Sequence, residues 1–301
     1  MTAVRTAVEH IMGTAISLAA PDTVDPEVFA TAAQSAFGYL RQVDEVFSPF
    51  RADSPISRIR DGRLPLADLD GHPHGVEILE VVDLCAALKA SSRGAFDAWA
   101  VGDPPGFDPC GVVKGWSAER ASAMLAAHGV DRHILNAGGD VRLRGGGRVP
   151  DEMAAGEPDP VPWRVGLTDP HRPGSILAVL PVTEGAVATS GTAERGAHIW
   201  NPASGRPATG LTQVTVTGPL LTLADGYATA AMAMAGGSVA AAHAWLDDLA
   251  ARSGYQSLTV DPVGRTWCAP GLTAFAQVPV ASTASAVPAA SAAAAARAGR
   301  G

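Results

Sequence analysis

Cysteine is scarce in this sequence: Cys85, Cys110 and Cys268 are odd in number, far apart and without a C-x-x-C pair. That pattern argues against a disulfide framework or a zinc site and fits a reducing compartment. Positive charge is short as well, with 22 Lys and Arg against 30 Asp and Glu and a net charge of -8. A surface built to neutralise nucleic-acid phosphates is therefore not expected, and any phosphate bound must be handled locally. Apolar runs of about 18 or more residues, the length needed to cross a bilayer, are missing ahead of the Ala-rich end, so no membrane insertion is expected. With Glu9 and His10 interrupting the apolar residues of the N-terminal stretch, no secretion signal is expected there. There is no G-x-G-x-x-G dinucleotide fingerprint, no G-x-x-x-x-G-K-[ST] loop and no internal repeat. The expectation is a cytoplasmic, globular protein.

What is present suffices for a large core, since 47% of the 301 residues are hydrophobic. Residues 1–276 alternate periodic segments with turns and read as one domain, whereas 277–301 collapse to Ala, Ser, Val and Gly and read as a disordered tail. Pro26 at a first helical position, followed by Phe29, Ala33, Ala36, Leu40, Val43 and Phe47, predicts an amphipathic helix. Further helices are expected from Val76 to Lys89, from about Ser117 to His128, and from Ser238 to Ala251. Thr222 with Asp225 resembles a capping box opening another, Ala-rich helix. Strands are expected at 133–136, 141–144, 163–167, 176–182 and 212–218, with a final hairpin around Pro262, Val263 and Gly264. Residues 145–162 are too rich in Gly, Pro and acids for regular structure and read as a surface loop. Strands and helices in separate runs predict an α+β fold rather than a doubly wound sheet.

Four segments could carry chemistry. Asp225 and Thr229 stand four residues apart, so on a helix their oxygens face one side, as a hard cation such as Mg²⁺ requires. A capping Asp beside an ordinary helical Thr is the alternative. In 107–120 a Gly-containing turn and Lys114 lead into a helix, an arrangement suited to a pyrophosphate; a merely solvated Lys is the other reading. Gly138 and Gly139 in the NAGGD segment imply close backbone approach or a hairpin turn. His198 lies just before a Gly-Arg-Pro turn and is either a general base or structural. His72 and His74 lack carboxylate or Cys partners, and Cys110 lacks an activating base, so the latter reads as a packing residue.

The order of these segments resembles the ApbE family of FAD:protein FMN transferases. The resemblance runs from about residue 8 to 270 and rests on Met12-Gly13-Thr14, FSPFRADSPISRIRDG at 47–62, GAFDAW at 94–99 and DPCGVVKGW at 108–116. It continues through LNAGGDVRLRG at 135–145, ATSGTAERGAHIWNPASGRP at 188–207 and VTVTGPLLTLADGYATA at 214–230. It implies a T-fold-like, mixed and largely antiparallel sheet with packed helices. It also implies that Met12, Phe50 and Ile199 contact flavin, that Ala95, Phe96 and Asp97 border the nucleotide, and that Asp108 and Lys114 address FAD beside the metal. Mg²⁺ would be held by Asp225, Thr229 and the Gly111 carbonyl, with the Ala228 carbonyl close by. His198 would activate the acceptor hydroxyl. The implied reaction moves FMN from FAD to a Thr or Ser of an acceptor redox protein, within a D-x-x-[ST]-G-A-[ST]-like segment, with AMP leaving. FAD pyrophosphatase activity and an FAD-binding carrier are the competing readings. The sequence departs from the family pattern at Phe50, at Trp200-Asn201 and in the shortened stretch from Asp97 to Asp108.

Overall fold

The computed structural model describes residues 4–146, 160–193, 196, 198–270 and 272. The expected 277–301 tail and most of the expected 145–162 loop lie outside them. An eight-stranded antiparallel sheet, ordered β1-β2-β3-β4-β7-β10-β11-β12, forms the backbone of an α+β fold. Its strands are β1 (Val4–Ile11), β2 (Thr14–Pro21), β3 (His133–Ala137), β4 (Asp140–Arg144), β7 (Gly185–Gly191), β10 (Gln213–Gly218), β11 (Gln256–Val260) and β12 (Thr266–Cys268). Two smaller hairpins pair β5 (Trp163–Thr168) with β6 (Ile176–Val182) and β8 (Trp200–Asn201) with β9 (Arg206–Pro207).

Six helices accompany the sheet among the described residues: α1 (Pro26–Phe47), α2 (Pro55–Arg60), α3 (Gly75–Ser91), α4 (Cys110–Ala127), α5 (Leu221–Ala235) and α6 (Val239–Ser253). The expected stripe of α1 is buried in full, and the helix is opened by Asp25, whose carboxylate accepts from the N–H groups of Glu27 and Val28. Helix α6 opens likewise on Ser238.

Period-two alternation decides what each face of the sheet meets. On β4, Val141 and Leu143 join Trp163, Leu167, Ala178 and Leu180 in a small core beneath the β5–β6 hairpin. Asp140 and Arg142, at the intervening positions, turn to the helices: Asp140 meets Lys114 and Arg142 meets Glu119, both on α4. Leu135, Ala186, Ala188, Val214 and Val216 bury against the helices in the larger core.

Arg142, only 6% exposed, spreads its guanidinium over Glu119, Glu184 and the carbonyls of Leu143 and Gly185. Glu119 in turn accepts from the Leu221 N–H with its other oxygen at 2.8 Å. The start of α5 is therefore capped from outside, and Leu220 at its N-cap uses no side chain. This corrects the capping-box reading: Thr222 and Asp225 lie inside the helix. Helix α4 also begins at Cys110, not near Ser117. Val112, Val113 and the two glycines are weak helix formers, but the Asp108 carboxylate accepts from the Cys110 N–H at 2.9 Å, and burial of Val112, Val113 and Trp116 holds the extra turns.

His133 is fully buried, its Nδ1–H donating to the Val130 carbonyl while Nε2 accepts from the Ser122 hydroxyl, each at 2.7 Å. Burial pushes its imidazolium pKa down to about 4, against the partial opposition of the Val130 carbonyl. Above the unfolded value of about 6.5 the ring is neutral in both states and its contribution is fully present. Between about 6.5 and 4 only the unfolded chain binds the proton, so stability falls as pH is lowered, by on the order of 3 kcal/mol. Urea unfolding of wild type and His133→Gln between pH 7 and 4 measures this: the difference between them should shrink as the pH drops, and a pH-independent difference would contradict it.

Candidate active site

The β1–β2 hairpin closes on two residues, Met12 and Gly13, both with positive φ, the geometry of a type I′ turn. The β3–β4 turn, with Gly138 and Gly139 also at positive φ, lies against it: a Cβ on Gly138 would stand 2.5 Å from Thr14 Oγ1. These turns form one side of a cavity of about 910 Å³. Residues of α4, α5 and β5 also line the cavity.

Every expected site residue except one lines this cavity: Met12, Phe50, Ala95, Phe96, Asp97, Asp108, Gly111, Lys114, His198, Ile199, Asp225 and Thr229. The exception, Ala228, is fully buried and outside the lining. Phe50 is 90% exposed. Phe96 is buried with its ring against Gly111, where a Cβ would come within 3.1 Å of it. Asp97 pairs with Lys89 at 2.7 Å. Asp108 serves the first turn of α4 as described. Cys110, expected to pack, is exposed and lines the cavity because it is the first residue of that helix.

The centre of the site is where α4 crosses α5. Gly115 brings the helices together so closely that a Cβ there would lie 2.6 Å from the Leu221 carbonyl and 3.0 Å from Asp225 Cβ. Its N–H donates to Asp225 Oδ2 at 3.1 Å. In a regular helix that N–H serves the carbonyl four residues back, here Gly111, so the carboxylate draws on the donor of the neighbouring carbonyl. One turn along α5, Thr229 Oγ1 stands 3.4 Å from Ser190 Oγ, and a Cβ on Gly111 would come within 3.1 Å of the Thr229 methyl and 3.4 Å of that oxygen.

Lys114, one of two lysines in the chain, places Nζ 2.5 Å from Asp140 Oδ2. Asp140 is 1% exposed, and its other oxygen accepts from the Thr189 N–H at 2.8 Å. Burial pushes the Asp225 carboxyl up to about 7; Lys114 opposes the rise, Asp140 adds to it and the Gly115 N–H opposes it. Asp140 is the residue that motif reading missed. The NAGGD segment was singled out for its glycines, and the signal available was the strand phase, which sends residues 140 and 142 to the helix side.

His198 is exposed at the cavity rim, and its Nδ1–H donates to the Gly196 carbonyl at 3.0 Å. A carbonyl only accepts, so the neutral ring keeps its lone pair on Nε2. Asn201 turns inward: its side chain accepts from the Ala203 N–H at 2.9 Å and its carbonyl from the Ser204 and Gly205 N–H groups, closing the β8–β9 turn. Among the described residues, no group of three or more His, Cys, Asp or Glu could hold a metal ion.

The contact at Gly115 yields a direct test. Gly115→Ala should lower stability by about 1–3 kcal/mol through overpacking against the Leu221 carbonyl, measured by urea unfolding. An unchanged midpoint would show that the helices separate freely.

Comparisons with known proteins bear on the fold and the family. The ApbE family model matches residues 102–252. A Vibrio cholerae protein named FAD:protein FMN transferase is 30% identical over 133 residues, 41% of this chain and 37% of its own length. A Treponema pallidum protein of the same name is 34% identical over 129 residues, 40% of this chain and 35% of its own. The matched stretch thus spans little more than a third of these relatives. In three dimensions the fold superposes on the ApbE protein of Thermotoga maritima with a TM-score of 0.70 at 21% identity, covering 89% of this chain and 97% of that one. It superposes on the flavin transferase ApbE of Vibrio cholerae with a TM-score of 0.66 at 20% identity, covering 91% and 100%. With half its length matched by the family model and its fold shared with solved members, this chain belongs to the ApbE family.

Proposed function

We propose that this protein is an FAD:protein FMN transferase that uses Mg²⁺ and FAD to attach FMN to a Thr or Ser of an acceptor redox protein. The observation that carries the reading is one cavity lined together by Asp225, Thr229, Lys114 and His198, large enough for a dinucleotide. The two curated relatives bear the name of that activity.

The donor set fits a magnesium ion. One buried carboxylate, one alcohol and one helical carbonyl at a residue with no side chain are hard oxygen donors, and no cluster of softer ligands competes among the described residues. Asp225, Thr229 and the Gly111 carbonyl would hold the ion, with the Ala228 carbonyl behind them. A carboxyl whose pKa is raised by burial regains its charge when a cation lies against it. Bound there, Mg²⁺ supplies charge neutralisation for the diphosphate.

This chain's own residues do the rest. Lys114, braced by Asp140, presents a cation beside the diphosphate. Met12, Phe50 and Ile199 offer apolar surface to the flavin, while Ala95, Phe96, Asp97 and Asp108 border the nucleotide half. The Nε2 lone pair of His198 accepts the proton of the acceptor hydroxyl, whose oxygen forms the new bond to the FMN-side phosphorus as the bond to AMP breaks. The acceptor segment is D-x-x-[ST]-G-A-[ST]-like. With its cysteines free, the chain suits a reducing, cytoplasmic setting.

Incubation with FAD, Mg²⁺ and an acceptor carrying that segment should add the mass of FMN to the acceptor. Release of FMN and AMP without an adduct would instead make the protein a pyrophosphatase, and FAD binding without AMP release a carrier. Asp225→Ala should remain folded and lose Mg²⁺-dependent turnover by at least about 100-fold; full turnover at limiting Mg²⁺ would overturn the metal assignment. His198→Ala should keep FAD affinity and lose about 10²- to 10⁴-fold in transfer rate; transfer at the wild-type rate across neutral pH would remove His198 as the base.

A further inference from the structure

Arg60 ends the short helix α2, opened by Ser54. Its side chain enters the cavity between two glycines of the 101–106 loop. A Cβ on Gly102 would stand 2.9 Å from Arg60 Nη2, and a Cβ on Gly106 2.8 Å from its Cγ and Nε. The loop is closed by a Val101–Gly106 bridge, with the Gly106 N–H donating to the Val101 carbonyl at 3.0 Å. The absence of a side chain at these two positions leaves room for the Arg60 side chain to lie against the loop.

Arg60 is partly exposed, and its one hydrogen bond among the described residues is a long contact of 3.5 Å from Nη2 to the same Val101 carbonyl. Arg51 and Arg63, its neighbours in sequence, are paired with Asp44 at 2.9 Å and Asp61 at 2.8 Å. Arg60 has no carboxylate ion pair among the described residues. A guanidinium keeps its charge at every accessible pH and offers five N–H donors, so one that lines the cavity with most of them unused by protein groups can donate to a ligand there.

The proposed function supplies the direction, and the inference rests on it. The diphosphate lies by Lys114 and Asp225, whereas Arg60 is held by the loop that follows Phe96 and Asp97, at the nucleotide half. We propose that Arg60 is a specificity-determining contact for the AMP half of the dinucleotide, donating to acceptors of the purine nucleotide, so that the site selects FAD and AMP over FMN.

Flavin fluorescence titration of FAD and FMN, with AMP measured by competition, tests this in the full chain. Arg60→Ala should weaken FAD and AMP about 10- to 100-fold and leave FMN within about 2-fold. Arg60→Lys keeps the charge and loses the fork, so it should fall between wild type and Arg60→Ala; it carries the test if the alanine variant does not fold. Unchanged FAD and AMP affinity in a folded variant overturns the inference, as does an equal loss of FMN, which would put Arg60 on the flavin side. Wild type that binds neither FAD nor AMP would instead sink the proposed function, so the two failures are distinct.

Discussion

The close crossing of α4 and α5 at Gly115 is the contact on which the site depends. The glycine permits an approach that any side chain would block, and that approach lets its N–H reach the Asp225 carboxylate. Gly226 repeats the device on the far side of α5, where a Cβ would stand 2.5 Å from Leu88 on α3. Helix α5 is therefore wedged between two neighbours at the level of its functional carboxylate. Helix packing at this distance fixes where Asp225 and Thr229 point, since both are carried on one rigid face.

Charge is organised around that crossing by a strand. Asp140 and Arg142 alternate with Val141 and Leu143 on β4, so a single extended segment seals the core beneath the β5–β6 hairpin and presents two charges to α4. Arg142 reaches Glu119, which caps α5 from outside, while Asp140 holds Lys114 at the cavity. The outcome is a partly exposed Lys114 set beside two buried carboxylates, Asp140 and Asp225. Burial raises the affinity of Asp225 for a proton or for a further cation; Lys114 opposes the rise and Asp140 adds to it.

Much of the architecture was readable in advance wherever local chemistry decides structure. The α1 stripe, the helix from Ser238 onward and the strands at 133–136, 141–144 and 212–218 are local patterns that burial reinforces. The β1–β2 hairpin escaped notice because its turn is Met-Gly rather than Asn-Gly, and a Met at positive φ is held there by the β3–β4 turn packed against it. Strand β7 was not legible because its two Ala and two Gly disfavour strands and leave only Val187 and Thr189 as strand formers, and its neighbours β4 and β10 supply the pairing.

By itself the amino-acid order determined the α+β class, the spacing of Asp225 and Thr229 and the ordered motifs, because these are set by helical period, strand period and chain sequence. Only tertiary structure decided that α5 is capped by a glutamate 102 residues away, that Cys110 faces the cavity, that Asp140 braces Lys114, and that Arg60 lies against Gly102 and Gly106 at the cavity. Those are contacts between groups remote along the chain, and their distances follow from how closely helices and sheet can pack.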